Sequence, residues 1–425
     1  MKSYIFYSFL VIALLFTSCK SSKPVKTRHQ IQKTIASHQP SFRFLIKDSS
    51  IYQKINQNKR KTTYKFRDSI YSLSNKDNQQ WQASFSCPTP TRSFWFYGEE
   101  CIKQKSFTPL PSLLPLKGIK IALDAGHLAG TPEMAEIEGK KIHLLHPETK
   151  DSIFFYEGEL TFLTVTHLKE QLTELGADVF VTRRANESAF GYSYFDWLDK
   201  RFFKDLDSCL INKRISIELA TLLLKEKDKK TVLSKKIIFH KFFKQLDFYQ
   251  RAKIINQYQP DITVIVHYNV DVNNKKWETP SFQNFSMAFV PGAFMKGEIH
   301  NQLNFNHFVR LSQTNEIKES IILSKFLLNG LKKYTKVDII EDFREIGYLN
   351  NYCIATDSKG VFARNLALTR QVKGTLCYIE ALYQDNFNES LLLNKNTNNY
   401  FPQRVKEVAQ GLTEGIVTYF KQQPK

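Results

Sequence analysis

IKIALDAGH, residues 119–127, is a run of apolar residues that stops at a glycine and a histidine. Such a run is typical of a buried β-strand with a polar residue at its carboxyl end. Similar apolar runs follow at residues 178–183, 261–267, 287–290 and 375–380. Segments with helical spacing of apolar residues lie between or after them, at 157–176, 317–331 and 405–419. This alternation predicts an α/β fold with a twisted, mostly parallel β-sheet flanked by helices.

The composition is that of a globular protein with a strong positive charge. Of the 425 residues, 42% are hydrophobic and 24% are charged, which argues against a disordered chain and leaves room for two or three domains. The formal net charge of +19 favours an anionic partner, such as cell-wall carboxylates or anionic lipid headgroups. No nucleic-acid-binding motif occurs, so nucleic acid is not expected as a partner.

The N-terminus predicts export. Lys2 precedes an apolar run from Tyr4 to Phe16, which has the length of a signal-peptide core and is too short to span a bilayer. Residues 1–18 are therefore interpreted as a signal peptide. The following Cys19 completes a sequence that resembles a bacterial lipobox, which predicts a lipid anchor; a chance cysteine after an ordinary signal peptide is the alternative. No acidic run follows Cys19, which favours a lipid-anchored protein of the cell envelope that faces the periplasm.

Changes in composition divide the rest of the chain. Residues 19–40 are polar and basic and are interpreted as a tether. Residues 41–116 are interpreted as a small N-terminal extension or domain of unknown role, ending in a proline-rich linker. Residues 117–422 form the predicted main domain, with a lysine-rich helical insertion at about 186–248. This insertion is predicted to be a lid or a platform for a regulatory protein, unless its lysines are only a solvated face.

Three residues at predicted strand ends carry the candidate chemistry: His127, His267 and Glu380. Sites in open α/β sheets form at the carboxyl ends of strands. Two histidines and a carboxylate are a common set of catalytic zinc ligands, although a histidine after a strand is often only structural. The sequence lacks a Cys-x-x-Cys pair, a His-Glu-x-x-His motif and a Gly-x-Ser-x-Gly motif. These absences argue against thiolate-bound zinc, a zincin and a serine hydrolase of that type.

Four separated motifs within residues 117–422 resemble those of the zinc-dependent N-acetylmuramoyl-L-alanine amidases of the third type. The segment that ends in His127 is similar to the family's Asp-Pro-Gly-His. Glu157 stands 19 residues before Gly176, where the family has a liganding glutamate at a helix start. The strand that carries His267 reads DITVIVHYN and resembles the strand of the family's second histidine. The segment Cys-Tyr-Ile-Glu380 resembles the strand of its catalytic glutamate.

The resemblance implies a site and a reaction. His127, Glu157 and His267 would bind Zn²⁺, and Glu380 would be the catalytic acid and base. Arg370, ten residues before Glu380, would either support the site or pair with a carboxylate at a strand end. The reaction would be hydrolysis of the amide between N-acetylmuramic acid and L-alanine in peptidoglycan, with a zinc-activated water as the nucleophile.

Several alternatives stay open at the level of sequence. Other glutamates compete with Glu157, because the segment after His127 is longer than is usual for the family: Glu133, Glu136, Glu138 and Glu159. A helix-start carboxylate is also favoured by the helix dipole without any metal. Two other functions also stay open: a zinc hydrolase of another amide, and a non-catalytic lipoprotein that binds the cell wall or regulates other enzymes. His143 and His146 are candidates for the substrate groove.

Overall fold

The structure, a computed structural model, describes residues 114–422 with short gaps, together with the backbone of four strands between residues 52 and 86. The gaps are residues 146–149, 151, 275, 295–297, 299–303, 305–306, 309, 312–313, 342–345 and 395–400. The predicted signal peptide, Cys19, the tether and His146 lie outside the described residues.

The described strands and helices have the following bounds. The strands are β1 (Tyr52–Gln53), β2 (Lys61–Phe66), β3 (Ser69–Lys76), β4 (Gln80–Ser86), β5 (Lys120–Ala125), β6 (Lys141–Leu145), β7 (Ser152–Tyr156), β8 (Asp178–Val181), β9 (Ile262–Asn269), β10 (Met287–Val290), β11 (Cys353–Ala355), β12 (Val361–Arg364) and β13 (Thr375–Tyr383). The helices are α1 (Pro132–Glu138), α2 (Glu157–Glu174), α3 (Tyr194–Lys200), α4 (Phe202–Ile211), α5 (Ile217–Lys229), α6 (Val232–Ile238), α7 (Lys244–Tyr258), α8 (Glu316–Thr335), α9 (Gly347–Tyr352), α10 (Ala367–Gln371), α11 (Phe387–Leu393) and α12 (Gln403–Gln422). A π-helical turn, Phe239–Phe243, joins α6 to α7.

The central sheet has seven strands in the order β11-β12-β10-β13-β9-β5-β8. The pairs β5–β8, β5–β9, β9–β13 and β10–β12 are parallel, whereas β10–β13 and β11–β12 are antiparallel. The predicted fold class, a mostly parallel sheet flanked by helices, is therefore confirmed. Strands β1 to β4 form a separate antiparallel sheet, in the order β1-β4-β3-β2.

Helices cover both faces of the central sheet. Leu123 and Ala125 of β5 belong to the core that the sheet shares with α2, α8 and α12, and Ala122 belongs to the core with α7 and α10. Helices α8 and α12 cross closely at two glycines. A Cβ on Gly330 would lie 2.1 Å from the carbonyl oxygen of Gly411, so the crossing requires a residue without a side chain.

The segment between His127 and Glu157, which the sequence indicated only as a long loop, has regular structure. It contains α1 and an antiparallel hairpin formed by β6 and β7. In the hairpin, Ile142, Leu144 and Ile153 are buried, and the strand residues that alternate with them are exposed, as expected for strands with one face on the core. Strand β7 ends at Tyr156, so the hairpin leads directly into Glu157 at the start of α2.

The segment predicted as an insertion contains α3 to α6. The residues Phe195–Lys229 belong to a different compact unit from the central sheet. Inside that unit Trp197 is buried and donates a hydrogen bond from Nε1 to Asp205 Oδ2 at 2.8 Å. Residue 248, the predicted end of the insertion, lies within α7.

Among the described helices none combines the length and the apolar character that crossing a membrane needs.

Candidate metal centre

Two histidines and a glutamate converge at the carboxyl ends of β5 and β9. His127 follows β5, His267 lies on β9, and Glu157 is the first residue of α2. One nitrogen of each histidine and one oxygen of Glu157 lie within 4.8 Å of one another. The structure thus brings together the three residues that the sequence predicts as ligands. Of the competing glutamates, it is Glu157 that joins the two histidines.

The distances from Glu157 to the two histidines fit the spacing of ligands around a tetrahedral zinc ion. Glu157 Oε1 lies 3.2 Å from His127 Nε2 and 3.4 Å from His267 Nδ1. Ligand atoms about 2.0–2.1 Å from a tetrahedral ion lie about 3.3–3.4 Å from one another. Two imidazoles and a carboxylate are also the donor types of catalytic zinc sites. Both the chemistry and the spacing of these side chains therefore suit zinc.

A close approach at Gly126 positions the two histidine rings. A Cβ on Gly126 would lie 2.3 Å from Cε1 of His267, so the backbone before His127 can come this near only with glycine. His127 has a φ of 54°, and its ring meets that of His267 edge-on with centroids 4.7 Å apart. Tyr378 stacks on the His267 ring at 4.4 Å and 9°. Packing therefore fixes the His267 ring before any ion binds.

Glu138, the last residue of α1, holds His127 and the backbone that follows it. Its Oε1 lies 2.9 Å from Nδ1 of His127, and its Oε2 accepts the backbone N–H groups of Leu128 and Ala129, both at 2.8 Å. Because Nδ1 is engaged, Nε2 is the ring nitrogen that faces Glu157. Carboxylates commonly orient metal-binding histidines in this way. The sequence indicated Glu138 only as a rival ligand and did not reveal this role.

Lys140 neutralises the second oxygen of Glu157. Its Nζ lies 3.1 Å from Glu157 Oε2 and 4.3 Å from the centroid of the Trp277 ring. The charge of Lys140 thus lies beside Oε2, which makes no hydrogen bond among the described residues, while Oε1 is directed at the two histidines. This ion pair also was not visible in the sequence, since it depends on the turn between α1 and β6.

Burial and neighbouring charges set the protonation of these groups. Burial alone would raise the pKa of Glu157, but the charges of His127 and Lys140 outweigh it and hold the pKa well below its usual range. For Glu138, burial is likewise outweighed by His127, and the pKa is lowered. Burial lowers the pKa of His267 to about 4, against the opposing hydrogen bond to Glu157. At neutral pH these carboxylates are ionised and His267 is neutral, the forms that bind metal ions.

Glu380 lies beside His267 on the neighbouring strand. Their Cα atoms are paired in register between β13 and β9, so the two side chains leave the sheet on the same face. Burial, and after it the charge of Glu157, raises the pKa of Glu380 to about 8. Its Oε2 is buried and has no hydrogen-bond partner among the described residues. A carboxyl group of this kind, next to a donor set, is suited to moving a proton.

Two buried guanidinium groups fix the backbone that leads to His127. Arg251 on α7 donates from Nε to Asp247 Oδ2 and from Nη1 to the Ala125 carbonyl, both at 2.7 Å. Arg183, just after β8, donates to the carbonyls of Ala125 and Gly126, both at 3.0 Å. The carbonyl groups at the end of β5 are therefore tied to α7 and to the segment after β8.

A cavity of about 190 Å³ lies beside the two histidines. Its apolar lining comes from the π-helical turn, α7, β13 and the segment around α10: Phe239, Phe248, Leu366, Leu368 and Tyr378. Its charged lining consists of Glu138, Lys244, Asp247 and Arg251. A small group of a bound molecule therefore has room next to the candidate ligands.

Arg370 does not lie with these residues. It is on α10 and lines a second cavity, of about 550 Å³, whose lining includes neither His127 nor His267. Burial lowers the pKa of Arg370, and the charge of Glu298 opposes this effect. Its Nη1 donates to Asn365 Oδ1 at 3.5 Å, and both roles that the sequence left open for Arg370 stay predictions.

Of the two histidines predicted for a substrate groove, His143 lies among the described residues. His143 is exposed on β6, within the hairpin rather than in a loop.

No protein-family model matches the sequence, and no curated protein matches it. Several solved structures are similar to the chain. The CwlD amidase from Clostridioides difficile, in complex with the GerS lipoprotein, is 15% identical, with a TM-score of 0.39 over 72% of this chain and 99% of that one. The N-acetylmuramyl-L-alanine amidase Ami1 from Mycobacterium abscessus is 15% identical, with a TM-score of 0.36 over 72% and 99%. The N-acetylmuramoyl-L-alanine amidase from Clostridium difficile 630 is 13% identical, with a TM-score of 0.37 over 72% and 98%.

Proposed function

We propose that this protein is a zinc amidase that hydrolyses the amide between N-acetylmuramic acid and L-alanine in peptidoglycan. The observation that carries the proposal is the convergence of His127, Glu157 and His267, with Glu380 in register beside His267. The donor set by itself suits many zinc hydrolases. The choice of peptidoglycan rests on the four motifs that resemble the amidase family.

The chain's own side chains would hold and orient the ion. The donor atoms would be His127 Nε2, Glu157 Oε1 and His267 Nδ1, with the glutamate oxygen 3.2 and 3.4 Å from the two nitrogens. Glu138 fixes the ring of His127 through Nδ1, and Lys140 holds the other oxygen of Glu157. When bound, zinc would lower the pKa of a water molecule toward neutrality and polarise the scissile carbonyl group.

Glu380 would carry the proton. It would accept a proton from the attacking water and donate it to the amide nitrogen, so that L-alanine leaves as an amine. An amine leaves poorly unless it is protonated, which is why this reaction needs a positioned acid. The pKa of about 8 suits the donating step. A divalent cation nearby would lower that pKa and so favour the carboxylate that the accepting step needs.

The predicted lipid anchor places the protein in the cell envelope under this proposal. Cys19 would carry the lipid that anchors the protein to a bacterial membrane, with the main domain in the periplasm. The net charge of +19 complements the anionic cell wall. The helical insertion stays a candidate lid or docking platform for a regulatory protein.

Digestion of purified peptidoglycan, followed by mass spectrometry of the soluble products, tests the proposal. The expected products are stem peptides with a free L-alanine amino group, formed in the presence of zinc and absent after treatment with a chelator. Products that keep the muramic acid attached would identify a different bond. A protein that binds zinc and the cell wall but releases nothing would be a binding lipoprotein. Hydrolysis only of other amides would point to another zinc hydrolase.

A further inference from the structure

Lys244, the first residue of α7, brings an ammonium group to the cavity of about 190 Å³ beside the histidines. The side chain is half-buried and lines that cavity together with His127 and His267. Its Nζ lies 5.4 Å from the centroid of the Phe248 ring. Among the described residues, Lys244 makes no side-chain hydrogen bond and no ion pair. The mechanism proposed above gives this cation no role.

The acidic groups of the cavity are already engaged elsewhere. Both oxygens of Glu138 are hydrogen-bonded, one to the His127 ring and the other to two backbone N–H groups. Asp247 binds Arg251 through Oδ2 and accepts the backbone N–H of Ala189 through Oδ1, each at 2.7 Å. The ammonium group of Lys244 therefore keeps its hydrogen-bonding capacity for something inside the cavity. Withdrawing part of a cation from water without an acceptor is unfavourable, and an anion that enters the cavity offsets that cost.

The size and the walls of the cavity restrict what can enter. Aromatic and aliphatic side chains form most of its lining. Its volume of about 190 Å³ somewhat exceeds the roughly 150 Å³ of an apolar cavity that binds benzene. A carboxylate attached to a small apolar group could form an ion pair with Lys244 while its apolar part packs against this lining.

We propose that Lys244 and this cavity form a subsite for a carboxylate of the peptidoglycan substrate, next to the scissile amide. The inference rests on the proposed function for the identity of the polymer. Two carboxylates lie near that bond: the lactyl carboxylate that cleavage creates on N-acetylmuramic acid, and the free carboxylate of an acidic residue in the stem peptide. Both present the same chemistry to an ammonium group, and separate probes distinguish them.

Binding of small fragments to the zinc-loaded protein tests the subsite without using catalysis. The affinities are measured by isothermal titration calorimetry. N-acetylmuramic acid carries the lactyl carboxylate, and L-alanyl-γ-D-glutamate carries the carboxylate of the stem peptide. The affinity of each acid is compared with that of the matching uncharged amide. At least one acid should bind more tightly than its amide. The change Lys244→Met should weaken binding of that acid by about tenfold to a hundredfold, the usual worth of a charged hydrogen bond, and leave binding of the amide unchanged. Lys244→Arg should retain most of the preference.

Lys241→Met is the matched control, since it removes an exposed lysine from the π-helical turn three residues earlier. Melting temperature and zinc content establish that each variant is folded and loaded, and Lys244→Gln replaces Lys244→Met if the latter does not fold. Equal affinity for acids and amides, no binding of either acid, or an unchanged preference in the Lys244 variants would overturn the subsite. Hydrolysis of peptidoglycan without charge-dependent binding overturns the subsite alone. Charge-dependent binding without hydrolysis overturns the proposed function alone.

Discussion

His267 and Glu380 occupy paired positions on β9 and β13, with their Cα atoms in register across two parallel strands. Their side chains share one face of the sheet, but their surroundings differ. The His267 ring is packed between Gly126 and Tyr378 and has a nitrogen 3.4 Å from Glu157. The buried oxygen Oε2 of Glu380 has no hydrogen-bond partner among the described residues. A fixed ring suits a metal ligand, and an unpartnered carboxyl oxygen suits a proton carrier.

Glu138→Gln tests whether Glu138 positions a ligand. The variant loses a carboxylate that accepts hydrogen bonds both from the His127 ring and from two backbone N–H groups. We expect zinc affinity to fall about tenfold to a hundredfold, as is usual when such an outer partner is removed. Competition with a chelating indicator measures this. The matched control is Glu136→Gln on the same helix, whose exposed side chain pairs with Lys236 and should not affect zinc. Unchanged zinc affinity in Glu138→Gln would show that the contact has no such role.

Gly126→Ala tests the close approach at the end of β5. The new Cβ would lie within 2.6 Å of three atoms of the His267 ring, which Tyr378 blocks from moving aside. We expect a folded protein with weakened zinc binding, because the ring has to leave its position. Zinc content and circular dichroism of the purified variant decide the matter. A variant that holds zinc as tightly as the natural protein would mean that the ring moves freely.

The sequence predicts the parts of the fold that depend on local pattern. Strand β10 has the predicted bounds, and α8 extends the predicted 317–331 by one residue at its start and four at its end. The antiparallel position of β10 beside β13 was not predictable, because strand order depends on contacts between distant segments. The hairpin of β6 and β7 was missed, although Ile142, Leu144 and Ile153 alternate with exposed residues in the way that strands do.

Arg251→Met tests the buried charges behind the candidate site. Arg251 is 2% exposed and lies 3.2 Å from Asp124 and 2.7 Å from Asp247. Its removal leaves two buried carboxylates without their cation, so we expect the free energy of unfolding to fall by about 3–5 kcal/mol. Urea denaturation measures the change. Lys253→Met, on an exposed position of the same helix, should stay within about 0.5 kcal/mol of the natural protein. Equal stability of the two variants would contradict this account.

Sequence motifs find residues that react or bind ions more easily than residues that position them. His127, His267 and Glu380 stand at predicted strand ends, where their approach follows from the parallel sheet. The roles of Glu138, Lys140 and Lys244 depend on how α1, the hairpin and the π-helical turn fold back on that edge. No spacing in the sequence indicates these contacts. Arg370 stands ten residues before Glu380 in sequence but lines a different cavity from the two histidines, so its role stays a prediction.

Cys19→Ala tests the predicted lipid anchor, which rests on the sequence alone. The thiol is the only lipid attachment site that the lipobox-like sequence offers, so the variant should move from the membrane fraction to the soluble fraction. Fractionation of cells that express each form, followed by immunoblotting, measures the shift. Unchanged membrane association of the variant would count against lipidation at this residue.

The central claim is that His127, Glu157 and His267 bind the metal and that Glu380 moves the proton. The most direct measurement combines the zinc content and the peptidoglycan hydrolysis rate of Glu380→Gln with those of His267→Ala. Glu380→Gln should keep about one zinc per chain and lose about 10²–10⁴-fold in rate, because glutamine cannot act as a base. His267→Ala should lose both zinc and activity, because few donors remain. A Glu380→Gln variant that hydrolyses peptidoglycan at the natural rate, or that folds normally without zinc, would contradict these assignments.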